Sequence, residues 1–285
     1  MKVKIAGIQI DVRLADRTHN LETMSRWARR AVAEDDVRLS IFPECALSGY
    51  CYDSREEAWE HAESADGPAC QALVEVARET RSHLIYGYLE RRGAKLHNSV
   101  NLVGPEGLVG TYRKTHIPYL GVDRFTDTGT EPYEVHTAGE LRIGMLICYD
   151  GSFPEPSRIL ALRGADLIAL PTNWPPGSGC TANVVPNARA LENAVYFAAV
   201  NRVGEERGFD FIGQSSLIDT NGWVITSASP ETAEQILIAE IDPEIAREKH
   251  LKRIPGKHEI HRFRDRRPDL YGPLVEPLIE GPIRY

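Results

Sequence analysis

Short apolar runs, each closed by a polar or turn-forming cluster, recur along the whole chain and alternate with segments of helical spacing. That alternation restricts the fold to the α/β class, because strands separated by helices pair into sheets that the helices then cover. Val3–Gln9 predicts a buried strand. Residues 20–33 predict a helix with Leu21, Met24, Trp27, Ala28 and Ala31 on one face, and residues 39–42 a second strand that ends at Pro43-Glu44. A helix over Pro68–Thr80 and strands over 83–90, 99–103 and 108–113 come next, the last two joined by the turn Gly104-Pro105-Glu106-Gly107. Residues 118–132 form a long loop, of the kind that usually carries function. A strand over 141–147 then runs into a tight turn at Cys148-Tyr149-Asp150-Gly151, and Pro154 suits the first turn of a helix over 154–164. A strand over 167–170, a loop around 173–177, a helix over 185–195, and strands over 197–201, 212–219, 224–228 and Gln235–Ile241 complete the pattern.

No internal repeat, linker or composition break divides the chain, so one continuous domain is expected over residues 1–250. Helix-separated strands in the outer parts and hairpin-like pairs in the middle suggest mixed sheets with helices outside; two such sheets stacked face to face make a four-layer α-β-β-α sandwich. Residues 251–285, rich in Pro and Arg with little periodicity, are expected to be a C-terminal tail packing on the domain or on a partner subunit.

A net charge of -8 argues against sequence-independent nucleic-acid binding, which relies on Lys and Arg neutralising phosphates. The basic stretch 249–267 also contains acids and reads as a solvated segment. The apolar run at the start is too short for a signal peptide, and none approaches the ~20 residues that span a bilayer, so a cytoplasmic protein without membrane contact is expected. Five cysteines without a pairing pattern do not make a disulfide framework. Cys45, Cys51, Cys70 and Cys180 lack metal-ligand spacing and read as packing residues, Cys180 also as a pocket-lining candidate.

Glu44, Lys114 and Cys148 each follow an apolar strand directly, and strand ends on one sheet edge are where α/β sites form. Singly, each has an ordinary explanation: a turn cap, a surface charge, a buried thiol. Their local strings are distinctive: Phe42-Pro43-Glu44-Cys45-Ala46-Leu47-Ser48-Gly49-Tyr50, Tyr112-Arg113-Lys114-Thr115-His116, and Ile147-Cys148-Tyr149-Asp150-Gly151-Ser152-Phe153-Pro154-Glu155. In these strings, in Asn98-Ser99 and in Arg189-Ala190-Leu191-Glu192-Asn193, the chain resembles the nitrilase superfamily of carbon-nitrogen hydrolases over about residues 3–245.

The resemblance implies a cysteine-dependent amidohydrolase. Glu44 would be the base and acid, Cys148 the nucleophile that forms a thioester, and Lys114 with the backbone N–H of Tyr149 the oxyanion partners, with no metal or organic cofactor. The superfamily usually adds a second glutamate in the loop after the lysine. Asp123 is the favoured match here, ahead of Asp127 and Glu131, while a solvent-facing loop acid remains the competing reading. His116 is expected to make structural hydrogen bonds rather than act as a base.

Tyr149-Asp150 stands where nitrile-cleaving members carry Trp-Glu, which favours a small neutral amide as substrate. Carboxylate-binding branches place an Arg two to four residues after the cysteine; this chain has Asp150, Gly151 and Ser152 there, leaving Arg124 or Arg202 to supply such a charge from elsewhere. Asn173 and Trp174 are pocket-lining candidates. The alternatives are an N-carbamoyl amino acid or amine amidohydrolase, a nitrilase, and a non-catalytic binding protein of the same fold. The resemblance also implies a homodimer or higher homo-oligomer.

Overall fold

The computed structural model describes residues 1–229 and 231–277, and it clusters into two compact units, Met1–Arg247 and Glu248–Tyr285. In the first unit, β1 (Val3–Gln9) leads into α1 (Arg17–Asp35), which the Asp16 carboxylate caps by accepting the His19 N–H. Met24, Ala28 and Ala31, spaced to share one face, bury against the sheet. β2 (Leu39–Ile41) is short, and α2 (Arg55–Glu60) is one that periodicity misses, too brief to show a repeat. α3 (Pro68–Thr80) begins on Pro68, whose fixed φ suits a first helical turn. β3 (His83–Arg92), β4 (Lys95–Gly104) and β5 (Gly107–Arg113) then form a meander; β3 and β4 run two and four residues closer together than the sequence suggests, with Gly93 at positive φ turning the hairpin.

The chain then crosses to a second sheet through β6 (Val135–Ala138), followed by β7 (Leu141–Met145), α4 (Pro154–Leu162), β8 (Leu167–Thr172), α5 (Gly179–Asn193) and β9 (Tyr196–Asn201). α5 starts six residues before the expected 185 and keeps Pro186 inside it. A proline inside a helix costs a backbone hydrogen bond, so the helix must be held by its packing on the second sheet. A small ribbon of β10 (Glu205–Glu206) and β11 (Phe209–Asp210) precedes β12 (Ser216–Ile218) and β13 (Val224–Ser227). β14 (Gln235–Ile241) returns to the first sheet, and α6 (Pro243–Arg247) ends the unit.

The first sheet has the order β14-β1-β2-β3-β4-β5 and the second β13-β12-β9-β8-β7-β6, both mixed. They stack face to face: a Cβ built on Gly7 of β1 would touch Val200 of β9 and Leu217 of β12. α1 and α3 cover the first sheet, α4 and α5 the second. This is the α-β-β-α sandwich. The topology also corrects the expectation that the chain holds no repeat. β1 to β5 and β7, β8, β9, β12, β13 follow the same course, two parallel pairings and then two antiparallel ones, with two helices packed outside each. The repeat is one of strand order, which apolar pattern alone does not reveal.

The second unit holds the hairpin β15 (His250–Ile254) and β16 (His258–His261), followed by two short 3₁₀ turns. Residues expected to lack regular structure therefore include a strand pair. Its alternation is too polar to register as a buried face. The last part of the expected tail, 278–285, lies outside the described residues.

Candidate active site

Glu44 lies three residues beyond β2, where the chain crosses the face of β3. Phe42 donates to Ile85, Leu47 to Gly87, and Gly87 back to Pro43. A Cβ on Gly87 would run into the backbone of Glu44 and Cys45, so glycine in β3 is what lets the Glu44 segment lie so close. Lys114 leaves β5 directly; its N–H donates to Asn98 at 2.9 Å and its carbonyl accepts from Gly129 at 2.8 Å, which fixes the backbone that bears the ammonium. Cys148 leaves β7 at the first residue of a 3₁₀ turn, Cys148–Ser152, with φ +43. A non-glycine residue there is strained, and such strain collects at functional positions. Arg189 of α5 donates to the carbonyls of Gly151 at 3.0 Å and Ser152 at 3.1 Å, holding that turn.

The side chains converge. Lys114 Nζ donates to Glu44 Oε1 at 2.7 Å and to Asp123 Oδ2 at 2.6 Å, all three side chains being fully buried. Asn98 Nδ2 donates to the same Glu44 Oε1 at 2.7 Å and to Asp123 Oδ1 at 2.9 Å, while its Oδ1 accepts from Cys45 Sγ at 3.6 Å. The Tyr50 hydroxyl donates to Asp123 Oδ2 at 2.7 Å. One cation therefore serves two carboxylates in a dry place, and an amide holds both.

Burial raises the Glu44 carboxyl above its ordinary value; the Lys114 charge opposes that rise and the Asp123 charge adds to it. Burial works against the Lys114 ammonium, yet Asp123 and Glu44 raise it well above the ordinary value, so it stays charged. Burial first, and then the Glu44 charge, push the Cys148 thiol up to about 12, against the pull of Lys114, the Thr172 hydroxyl and the Asn173 backbone N–H. Glu44 Oε2 and both side-chain polar atoms of Asn173 are buried without a hydrogen-bond partner among the described residues.

The other expected residues sort by partner. Asp123, the favoured second acid, reaches the cluster through the 3₁₀ turn Gly121–Phe125, where Gly121, at positive φ, lies against the Tyr50 ring with no room for a Cβ. Asp127 instead pairs with Arg55 at 2.7 Å, and Glu131 with Arg92 and Arg113. His116 stacks on Phe153 at 3.9 Å and bonds Asp150. Tyr149 is half exposed, its ring edge-on to Phe153, and Trp174 is buried with its backbone held by Asn201. Arg202 is buried against Glu206 and Asp11 with its guanidinium over Phe211, so it is committed to the core and cannot meet a substrate carboxylate. Arg124 donates to the carbonyls of Gly121 and Tyr52, forms no ion pair among the described residues, and lines a cavity of about 310 Å³ whose wall also carries Asp53, Glu206 and Arg207. Asn98, Tyr50 and Arg189 were given no role from sequence; their signal was only that they fall inside the distinctive strings.

The carbon-nitrogen hydrolase family profile matches residues 4–250. The chain belongs to this family. A nitrilase of Pyrococcus abyssi is 37% identical to this carbon-nitrogen hydrolase over 276 residues, covering 94% of this chain and 99% of that protein. An (R)-stereoselective amidase of a Pseudomonas species is 32% identical over 248 residues, covering 84% and 86%. A mutant of the amidase of Nesterenkonia AN1, from the nitrilase superfamily, superposes with TM-score 0.73 at 25% identity, covering 86% of this chain and 93% of that one. The protein is thus a nitrilase-superfamily hydrolase of carbon-nitrogen bonds other than peptide bonds. Among the described residues, no helix is long and apolar enough to cross a membrane, and no cluster of His, Cys, Asp and Glu could hold a metal ion.

Proposed function

We propose that this carbon-nitrogen hydrolase cleaves a small neutral amide through a thioester on Cys148. The observation that carries the reading is the buried Lys114 ammonium shared by Glu44 and Asp123 beside a strained cysteine. A thiol held near 12 is almost wholly protonated at neutral pH, so a base must take its proton as it attacks. Glu44 is that base. The thiolate adds to the amide carbon, and the oxyanion forms against the Lys114 ammonium and the Tyr149 backbone N–H. Glu44 returns the proton to nitrogen and ammonia or an amine leaves; a water deprotonated by Glu44 then attacks the thioester, the C–S bond breaks to release a carboxylic acid, and Glu44 gives its proton back to the Cys148 thiolate. Asp123 holds Lys114 in place, while Asn173 and Trp174 border the substrate. No metal or organic cofactor is required.

Relatives are named both as amidases and as nitrilases, so their names do not choose the substrate. Tyr149-Asp150 in place of Trp-Glu supports the amide. A second reading, an amide bearing a distal carboxylate such as a carbamoyl amino acid, would need Arg124 to meet that carboxylate; Arg124 donates to the carbonyls of Gly121 and Tyr52, and the cavity it lines also holds Asp53 and Glu206, so the neutral amide is favoured. Residues 1–250 carry the activity as one catalytic domain, and the working form is a cytoplasmic homo-oligomer, which sedimentation would count. Ammonia release across neutral amides, carbamoyl amino acids and nitriles, with mass spectrometry of an acyl adduct on Cys148, tests the chemistry. Cys148→Ala should abolish both signals with the fold kept; an active variant would overturn it.

A further inference from the structure

Lys114 and Cys148 follow strands of different sheets, the lysine directly after β5 and the cysteine three residues beyond β7. The sheet faces meet through interdigitated apolar side chains and a buried tie from Ser215 to Gln9, none of which reaches the segments that bear Lys114 and Cys148. Something directional has to fix how far the ammonium stands from the thiol. The side chain placed to do so is Asp150, two residues after the nucleophile and completely buried.

Its Oδ2 accepts from the Ile147 N–H at 3.0 Å and from the Tyr112 hydroxyl at 2.8 Å. Its Oδ1 accepts from the His116 N–H at 3.0 Å, the Thr115 hydroxyl at 3.1 Å and, with the proton on that nitrogen, His116 Nδ1 at 2.7 Å. Ile147 and Asp150 bracket Cys148; Tyr112, Thr115 and His116 bracket Lys114. A single carboxylate therefore ties the chain on both sides of the lysine to the chain on both sides of the cysteine. With its acceptor sites occupied and no exposed surface, it is out of reach of the reacting atoms.

We propose that Asp150 is a positioning residue that sets the placement of Lys114 against Cys148 by joining the two sheets at the active site. This rests on the proposed roles of Lys114 and Cys148. The carboxylate is required rather than merely tolerated, because the donors come from two opposed directions and two of them are backbone N–H groups that cannot turn round. An asparagine in its place presents an NH₂ either to Ile147 N–H or to His116 N–H, and so breaks the tie on one sheet or the other.

The test is Asp150→Asn, with Tyr112→Phe and Thr115→Val as milder variants that each remove one of the donors to Asp150, together with the bond Tyr112 and Thr115 share and, for Thr115, its bonds to His116 and Tyr133, and keep the carboxylate. We expect kcat to fall on the order of 100-fold in Asp150→Asn, the scale of a ~1 Å misplacement of reacting groups, with KM near that of the parent. Because Lys114 favours the Cys148 thiolate, iodoacetamide alkylation of Cys148 should need higher pH in Asp150→Asn, with Tyr112→Phe and Thr115→Val in between. Leu73→Ala, a cavity in the α3 core away from the site, controls for loss of stability alone: it should lower Tm without moving the alkylation profile. The proposal is overturned if Asp150→Asn keeps the parental kcat and alkylation profile, or if Leu73→Ala moves them as far. Should Asp150→Asn not fold, unchanged kcat and alkylation profiles in both milder variants overturn it. An active Cys148→Ala would instead sink the underlying reading of the site, so the two failures are distinct.

Discussion

The Lys114 ammonium lies 2.6 Å from the Asp123 carboxylate, closer than the 2.7 Å that separates it from Glu44, so the cation of this site is held as firmly by the loop acid as by the proposed base. Two buried carboxylates around one ammonium leave an excess negative charge, and that excess is part of what raises Glu44. Replacing Asp123 by Asn removes the like charge while keeping the shape. Glu44 must be ionised to act as a base, so in Asp123→Asn the acid limb of the kcat/KM profile should move to lower pH. A limb that stays put or moves up would show that Asp123 does not bias Glu44.

Glu44 and Lys114 act on the Cys148 thiol with opposite signs. The Glu44 charge raises it and the Lys114 charge lowers it, around a thiol already at about 12. Glu44→Gln should therefore let iodoacetamide alkylate Cys148 at lower pH than in the parent, although amide turnover falls about 10³-fold with the base gone. Lys114→Gln should demand higher pH. Rates of alkylation followed by mass spectrometry from pH 6 to 10 decide this; shifts of the same sign in both variants would contradict the assignment.

Asn98 is fully buried and gives both amide hydrogens to carboxylates, one to Glu44 and one to Asp123. Asn98→Leu keeps the volume but leaves two buried carboxylates each short of a donor. The expected loss is about 3 kcal/mol, at ~1–3 kcal/mol for each unsatisfied group. Urea unfolding measures it. A leucine variant as stable as the parent would mean that the site relaxes around the missing amide.

Asp166 tests how the second sheet is anchored at its far end. Burial alone would raise its carboxyl, but hydrogen bonds from Arg247 and Arg142 outweigh that and hold it below the ordinary range. A depressed carboxylate contributes stability that is complete above its unfolded value of about 4 and is lost as pH falls through the folded value. Asp166→Asn should accordingly cost about 2 kcal/mol at pH 7 and show a shallower acid decline below pH ~4. Parallel urea titrations at pH 7 and pH 3 check it: an equal deficit at both would remove the charge from the explanation.

How much of this was readable beforehand follows from the range of each signal. Val3–Gln9, Pro68–Thr80 and Gln235–Ile241 match the expected elements because an apolar run or a proline at a helix start acts within a few residues. α5 runs six residues further towards the N-terminus than expected because its first turns carry little apolar periodicity, and Pro186 lies inside the helix that packs on the second sheet. Glu44, Lys114 and Cys148 could be singled out because strand ends and their flanking strings are local features, and Asp123 because the family resemblance implies an acid in the loop after the lysine. What Asn98, Tyr50, Arg189 and Asp150 hold could not, since each chooses a partner across the fold.

By itself, then, the sequence determined the class of fold, the strand ends that bear the proposed reactive groups, and the family to which the chain belongs. Tertiary structure alone decided that the two halves repeat one strand order, that Arg202 belongs to the core, and that one ammonium stands between two carboxylates. The physical reason is that side-chain periodicity is a property of neighbouring residues, whereas the partner of a buried charge is whatever the packed sheets bring within hydrogen-bond reach.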